Sequence, residues 1–440
     1  LRAGQNPDRP RPMTAPLPAA EKHAVTSRPI RILFINDTAR NGGPGHTLVC
    51  LLKFLDPTRI HRTVLLPRED VVSQEVRRHN AAERLIIEPA LIENLFQPWS
   101  RSMVRRDFAA PAPLRLLRAA ANIARAASGL ARLTRQARLE RYDLIFCNGT
   151  AATLVGGVLA AVTRIPTVWH VFYPSVPPVI RPLHRRLAAG SFVRSILCVS
   201  RAVSGQFTSC PQKVQICHDA LDLQAFDATA RTPCLRRELG LADDSVIFGA
   251  HGRIVRRKGF IELIRAARLV LDRLDTEQRG RCHFVVLGDT PEDMPEDHLA
   301  QCRTLARELG VEDAVHFLGF RADVVPYVAE FDVAIVPSVY PDPLPRAVME
   351  AMALSKPVIA FDVGGIGEMV NNHEEGRLLS GSPPDISGMA EACLDYFHAP
   401  ELRLRHGHAA RSRVTRDFEA RSHARLLQAQ LLDLAQTRHP

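Results

Sequence analysis

At 440 residues, with 46% hydrophobic and 24% charged side chains, the chain is too long for one ordinary core and has the composition of a soluble globular protein. No run approaches the roughly 20 uncharged apolar residues that a bilayer span requires, and a net charge of +10 suggests an anionic partner without choosing among a nucleotide, a membrane face and a nucleic acid. The nine cysteines are odd in number and form no C-x-x-C pair, so they read as buried small hydrophobes in a reduced, cytosolic compartment.

Residues 1–28 contain five prolines and no apolar core, and read as a disordered leader rather than a signal peptide. From Ile30 to about Ser200, short apolar runs alternate with longer helical stretches. RILFIND, HRTVLLP, YDLIFCN, PTVWHVF and SILCVS are expected strands, each followed by a polar turn. SVIFGAHG, CHFVVLGD, AVHFLGF, DVAIVPS and KPVIAFD repeat that grammar in the second half. Buried strands alternating with helices imply parallel sheets covered on both faces. The fold class is therefore α/β, with two Rossmann-like domains facing each other across a cleft. We place the first domain over 29–225 and the second over 240–405. The join falls near 223–243, and a helix over 406–440 packs back toward the first domain.

Ligands of open parallel sheets bind beyond the carboxyl ends of the strands. In chain order, that edge collects Gly42 and Gly43, His170, Arg253 and Asp342. Gly42 and Gly43 follow the first strand and would let a ligand approach the backbone, or merely make a strand-to-helix turn. Leu48 stands where a dinucleotide fingerprint needs its third glycine. His170 lies inside an apolar strand, as a satisfied core histidine or as a site residue. Arg253 leaves a strand and Lys258 precedes a helix, an arrangement suited to a pyrophosphate at a helix N-terminus, or to a plain solvated basic turn.

In SVYPDPLPRAVMEAMALSKPVIA, Pro343 and Pro345 forbid helix before the second proline, so Asp342 belongs to a loop. Pro345 suits the first helical position, and the helix ends near Ser355 with Glu350 on its second turn. Both acids could hold a polyhydroxylated ligand, or Glu350 could only counter Arg346 at i,i+4. GGIGE, Gly364 to Glu368, reads as a second glycine turn opening a helix.

GRIVRRKG, VVLGD, VHFLGF, DPLPRAVMEAMA and GGIGE, in this order, together resemble the GT4 family of retaining glycosyltransferases with the GT-B fold. NGGPGH, GGVLAAVTRIPTVWHV and CVSRAV extend the resemblance across the first half, from Arg28 to about Leu432. It implies that Arg253 and Lys258 bind the donor diphosphate and that Glu350, with Leu344 and Pro345 beside it, meets the ribose and sugar. It also implies catalytic positions for His170 and Asp342, a glycine loop at Gly42–Gly43, no cofactor and no metal. Three residues or turns depart from the family: Asp342 replaces a glutamate, Pro345 replaces a glycine, and HDALD (218–222) replaces a P-N-G-x-D-like turn.

The implied partners are a nucleoside-diphosphate-sugar donor and a glycan or lipid-linked acceptor in bacterial-type cell-surface glycan synthesis. Residues 114–141 carry Arg118, Arg125 and Arg132 at seven-residue spacing. They form a basic helix that either rests on an anionic membrane, placing the protein at the inner face of the plasma membrane, or presents a solvated arginine face. Rival readings are a nucleotide-sugar epimerase and a non-catalytic nucleotide-sugar binder. No aromatic-interleaved basic strand speaks for nucleic acid.

Overall fold

The computed structural model describes residues 28–38, 42–91, 95–98 and 103–436. Apart from Arg28, the expected leader lies outside the described residues. The chain divides into two compact units. The first comprises residues 1–103, 109–220 and 420–440, and the second residues 104–108 and 221–419.

The first unit holds seven strands: β1 (Ile30–Asn36), β2 (Ile60–Leu66), β3 (Arg84–Ile87), β4 (Leu144–Asn148), β5 (Thr167–Val171), β6 (Val193–Cys198) and β7 (Val214–Ile216). All pair in parallel, in the order β3-β2-β1-β4-β5-β6-β7. Every residue of β4 and β5 is buried, as helices on both faces require of a central strand. The order reverses between β1 and β4, which opens a crevice at their carboxyl ends. The helix Ala420–Gln436 contributes Ala424, Leu427, Leu431, Leu432 and Ala435 to the core that contains Ile32, Phe34, Val64 and Phe146.

The second unit holds β8 (Val246–His251), β9 (Cys282–Leu287), β10 (Val315–Gly319), β11 (Val333–Val336), β12 (Val358–Asp362) and β13 (Gly376–Ser380). They form one parallel sheet in the order β10-β9-β8-β11-β12-β13. Its core packs Phe248, Phe284, Ile335 and Phe361 against the helices Phe260–Arg273 and Ile386–His398. Here the order reverses between β8 and β11.

Four local expectations change. Strands β3, β7 and β13 were not foreseen; each is an edge strand, short or half-buried, without a long apolar run. Pro345 is the N-cap of the helix Arg346–Ala353, not its first residue, because its ψ of 119° is extended. Gly364–Glu368 leads into a single 3-10 turn (Ile366–Glu368) instead of a regular helix. The helix expected over 406–440 is two, Pro400–Asp417 and Ala420–Gln436. Phe418, whose O accepts from Leu221 N at 2.8 Å, interrupts them.

The basic segment forms one helix, Ala112–Glu140, whose inward stripe is Ala119, Asn122, Gly129, Leu133 and Ala137. A Cβ at Gly129 would lie 2.3 Å from the Ala90 Cβ, so close packing fixes the rotation of the helix. That rotation turns Leu116, Leu117, Ile123 and Leu139 outward, 68%, 66%, 57% and 73% exposed. Arg132 is occupied at the side by Glu88, at 2.7 Å. No described helix is long and apolar enough to cross a membrane.

Candidate functional site

In the second unit, β8 ends at His251 and the chain turns through Gly252, at φ 140°, to Arg253. A 3-10 turn, Arg256–Lys258, and then Gly259, at φ 76°, lead into the helix Phe260–Arg273. Gly259 is required twice over: its backbone is left-handed, and a Cβ would fall 1.7 Å from Pro337 O. The basic turn is thereby pressed onto the loop after β11, where Val339 N donates to Arg257 O at 3.0 Å.

Lys258 Nζ is ion-paired with Asp342 Oδ2, which also accepts from Ser338 Oγ at 3.0 Å. The Asp342 side chain is 6% exposed and that of Lys258 21%. Arg257 lies over the Tyr340 ring, 4.9 Å from its centroid. Burial first, and the charge of Asp342 second, push the Tyr340 phenol well above its usual range, so it stays protonated. The GGIGE turn holds this loop from the far side. Gly365 N donates to Asp342 O at 2.8 Å, and a Cβ on Gly364, at φ 62°, would lie 2.1 Å from that oxygen.

Glu350 projects from the second turn of Arg346–Ala353, as foreseen. Its Oε2 accepts from His251 Nε2 at 2.9 Å, and Arg346 Nε lies 3.4 Å from Oε1. Leu344 and Pro345 are buried between the two acids in sequence. Arg253 is exposed at the same edge. The structure thus gathers Arg253, Lys258, Asp342 and Glu350 at the carboxyl end of one sheet, beside its switch point.

In the first unit, His170 is 2% exposed near the carboxyl end of β5. Its Nδ1 lies 3.0 Å from Asn148 Oδ1. The Asn148 amide nitrogen donates to Asn36 Oδ1 at 2.5 Å and to Pro44 O at 2.8 Å, and Asn36 Nδ2 donates to Thr38 O at 2.5 Å. With that NH2 committed, the Asn148 oxygen accepts, so Nδ1 carries the imidazole proton. Nε2 is then a bare acceptor, and among the described residues it has no partner. Burial chiefly, and the charge of His423 secondarily, lower the His170 pKa to about 3, so the ring is neutral at physiological pH.

Gly42 is the N-cap of Gly43–Phe54 in an extended conformation, and a Cβ there would meet nothing within 4 Å. Next to it along the edge, Asp37 Oδ2 accepts from Ala151 N at 2.8 Å and caps the helix Thr150–Thr163. Among the described residues no group of three or more His, Cys, Asp or Glu could hold a metal ion.

Asn36, Asn148, His251 and Ser338 were not singled out from the sequence. The usable signal was positional, because both asparagines and His251 are the last residues of apolar strands.

Residues 232–413 match the family model described as glycosyl transferases group 1. An uncharacterised glycosyltransferase of Methanocaldococcus jannaschii is 26% identical over 264 residues, 56% of this chain and 64% of that protein. A D-inositol 3-phosphate glycosyltransferase of Kribbella flavida is 32% identical over 202 residues, 46% of each chain. The chain thus spans about half to two thirds of the length of these curated relatives. The crystal structure of Anabaena HepE in complex with UDP-glucose shares the fold, with a TM-score of 0.71 at 22% identity, covering 92% of this chain and 99% of that one.

Proposed function

We propose that this chain, whose residues 232–413 match the group 1 glycosyltransferase model and which has the two-unit α/β architecture of the GT-B fold, is a glycosyltransferase. It moves a sugar from a nucleoside-diphosphate donor to an acceptor hydroxyl, with retention of anomeric configuration. The observation that carries this reading is the grouping of Arg253, Lys258, Asp342 and Glu350 at the switch point of the second sheet. HepE, which shares the fold, was crystallised with UDP-glucose, which supports a nucleotide-sugar as donor.

The costly event is cleavage of the sugar–phosphate bond, which leaves a cation-like sugar and a growing charge on the diphosphate. Arg253, Lys258 and the first N–H groups of the helix Phe260–Arg273 stabilise that charge, and they do so without a metal ion. Glu350 accepts hydrogen bonds from ribose hydroxyls. Asp342 is one methylene shorter than the family's glutamate and engages Lys258. It therefore releases Lys258 to the phosphates before it turns to the sugar. His170, neutral and bare at Nε2, accepts a hydrogen bond from the sugar and orients it. The acceptor proton goes to a donor phosphate oxygen.

Purified protein incubated with UDP-, GDP- and ADP-sugars tests this reading. Nucleotide release that depends on an added acceptor supports transfer. Conversion of donor without acceptor identifies an epimerase, and tight binding without turnover identifies a non-catalytic binder. Replacement of either Arg253 or Lys258 by alanine should cut turnover about 100-fold; near-normal turnover in both variants would refute the assignment.

A membrane-facing acceptor is favoured by one further observation. The outward face of Ala112–Glu140 carries Leu116, Leu117, Ile123 and Leu139 where a solvated helix would be polar, interspersed with the exposed Arg132, Arg135 and Arg138 and bordered by the half-buried Arg118 and Arg125. This suits a peripheral position on an anionic bilayer and a lipid-linked glycan acceptor. Flotation with anionic but not neutral liposomes, lost on replacing Leu116, Leu117 and Ile123 by serine, is the expected result.

A further inference from the structure

Glu350 is the proposed ribose ligand, yet its carboxylate is already gripped from two sides. The His251 and Glu350 side chains are 6% and 16% exposed, and Nε2 lies 2.9 Å from Oε2. Arg346, on the preceding turn of the same helix, lies farther away, 3.4 Å from Oε1. A carboxylate oxygen only accepts, so the His251 Nε2 carries the proton. A carboxylate oxygen has two lone pairs, so the bond from His251 does not by itself prevent Oε2 from also accepting a hydroxyl.

His251 is itself fixed. It is the last residue of β8, hydrogen-bonded in register with β9. The Phe331 ring lies 6.5 Å from the imidazole and packs where a Cβ on Gly249 would collide with it. Strand, aromatic ring and imidazole thus form a rigid mount for one oxygen of Glu350. Two residues later on the same strand exit stands Arg253.

We infer that His251 is a positioning residue that sets the Glu350 carboxylate for the donor ribose, through the Nε2–Oε2 bond across 99 residues of sequence. The inference rests on the nucleotide-sugar reading above. It distinguishes His251 from a residue that merely ties strand to helix, because only ribose recognition should depend on it.

The test uses isothermal titration of the full chain with UDP, GDP and ADP. The tightest binder is then compared with its 2′,3′-dideoxy analogue and with inorganic pyrophosphate. Wild type should prefer the ribonucleotide over the dideoxy form by about tenfold or more, the worth of hydrogen bonds to a charged group. His251→Ala should lose most of that factor and leave pyrophosphate affinity within about twofold. His251→Gln, whose amide nitrogen falls where Nε2 stood, should recover part of it. His251→Asn, whose amide falls at the Nδ1 position, should not, and it serves in place of the alanine variant if that one does not fold.

In a Glu350→Ala background, removing His251 should add nothing. A wild-type ribo-to-dideoxy ratio in both His251→Ala and His251→Asn would overturn the inference while leaving the nucleotide-sugar reading intact, and so would an equal loss for pyrophosphate. Wild type that binds none of the three nucleotides would overturn both.

Discussion

Near the end of β5, the His170 imidazole is held by uncharged groups: Asn148, then Asn36, then the Thr38 carbonyl. Beyond β8 and β11 the corresponding edge is built of ions, with Lys258 on Asp342 and His251 and Arg346 on Glu350. Both edges bury their polar groups, but the cost of burial is met differently. An amide chain needs only complete hydrogen bonding, whereas a buried ion needs a counter-charge. The difference matches two tasks. On the nucleotide-sugar reading, the histidine edge, whose Asp37 carboxylate is turned to the helix Thr150–Thr163, positions hydroxyls, while the edge that carries Lys258 and Arg253 receives a diphosphate by exchanging one anion for another. On that reading, Asp342 stands in for the diphosphate at Lys258.

The sharpest way to break the contrast is at Lys258. Lys258→Ala should lower turnover about 100-fold. It should also destabilise the second unit by somewhat less than the ~3–5 kcal/mol seen on breaking fully buried pairs, because Lys258 keeps 21% exposure. The double variant Lys258→Ala, Asp342→Asn removes the orphaned charge. It should regain most of the stability in urea unfolding and none of the turnover. Recovery of both would make the pair a structural tie and nothing more.

Gly364 tests the mount of that pair. Alanine there costs about 1–2 kcal/mol for the left-handed backbone alone. It also pushes on Asp342 O, 2.1 Å from the new Cβ, so nucleotide affinity should fall along with stability. A variant that loses stability and retains full affinity would show that the Asp342 loop does not shape the site.

The neutral edge should reveal itself by pH. A histidine in the unfolded chain titrates near 6.5, and His170 in the folded chain near 3. Between those values the unfolded chain binds a proton that the folded chain refuses, so stability is full above about pH 6.5 and falls on acidification. The slope is about 1.4 kcal/mol per pH unit for each such proton. His184, lowered to about 4 by burial, adds to it in the same direction. His170→Gln should flatten the profile of the first unit by one proton, read by denaturant unfolding from pH 7 to 4. An unchanged slope would mean that the imidazole is not held neutral.

The interior strands were legible because a parallel strand covered on both faces must be a continuous apolar run, as ILFI, LIFC and VVL are. The edges β3, β7 and β13 were not, because an edge strand lacks that requirement. Lys258, Asp342 and Glu350 could be named from short motifs, and the Arg346–Glu350 contact from its i,i+4 spacing, but the pairings with Lys258 and His251 could not. The Asn36–Asn148 and His251–Glu350 bonds join residues 112 and 99 positions apart, and nothing local marks either. The rotation of the helix Ala112–Glu140 was hidden for a similar reason. Its arginine spacing suggests a polar outer face, and Arg132, Arg135 and Arg138 are exposed there, but contact of Gly129 with Ala90 also brings Leu116, Leu117 and Leu139 out beside them.

Gly42 is the smallest perturbation and separates two uses of glycine. Gly364 is demanded by the fold, but Gly42 is not, since its φ of −177° suits any residue and a Cβ would meet nothing within 4 Å. Gly42→Ala should therefore cost no more than about 1 kcal/mol, the difference between glycine and alanine at an N-cap. If the loop owes its glycine to close approach of a substrate, turnover or acceptor KM must worsen in this variant under conditions where it remains fully folded. Gly42→Ser, with one more atom, should worsen them further. Equal activity in all three proteins would return Gly42 to ordinary turn chemistry and remove the glycine loop from the neutral edge, leaving the ionic edge as it stands.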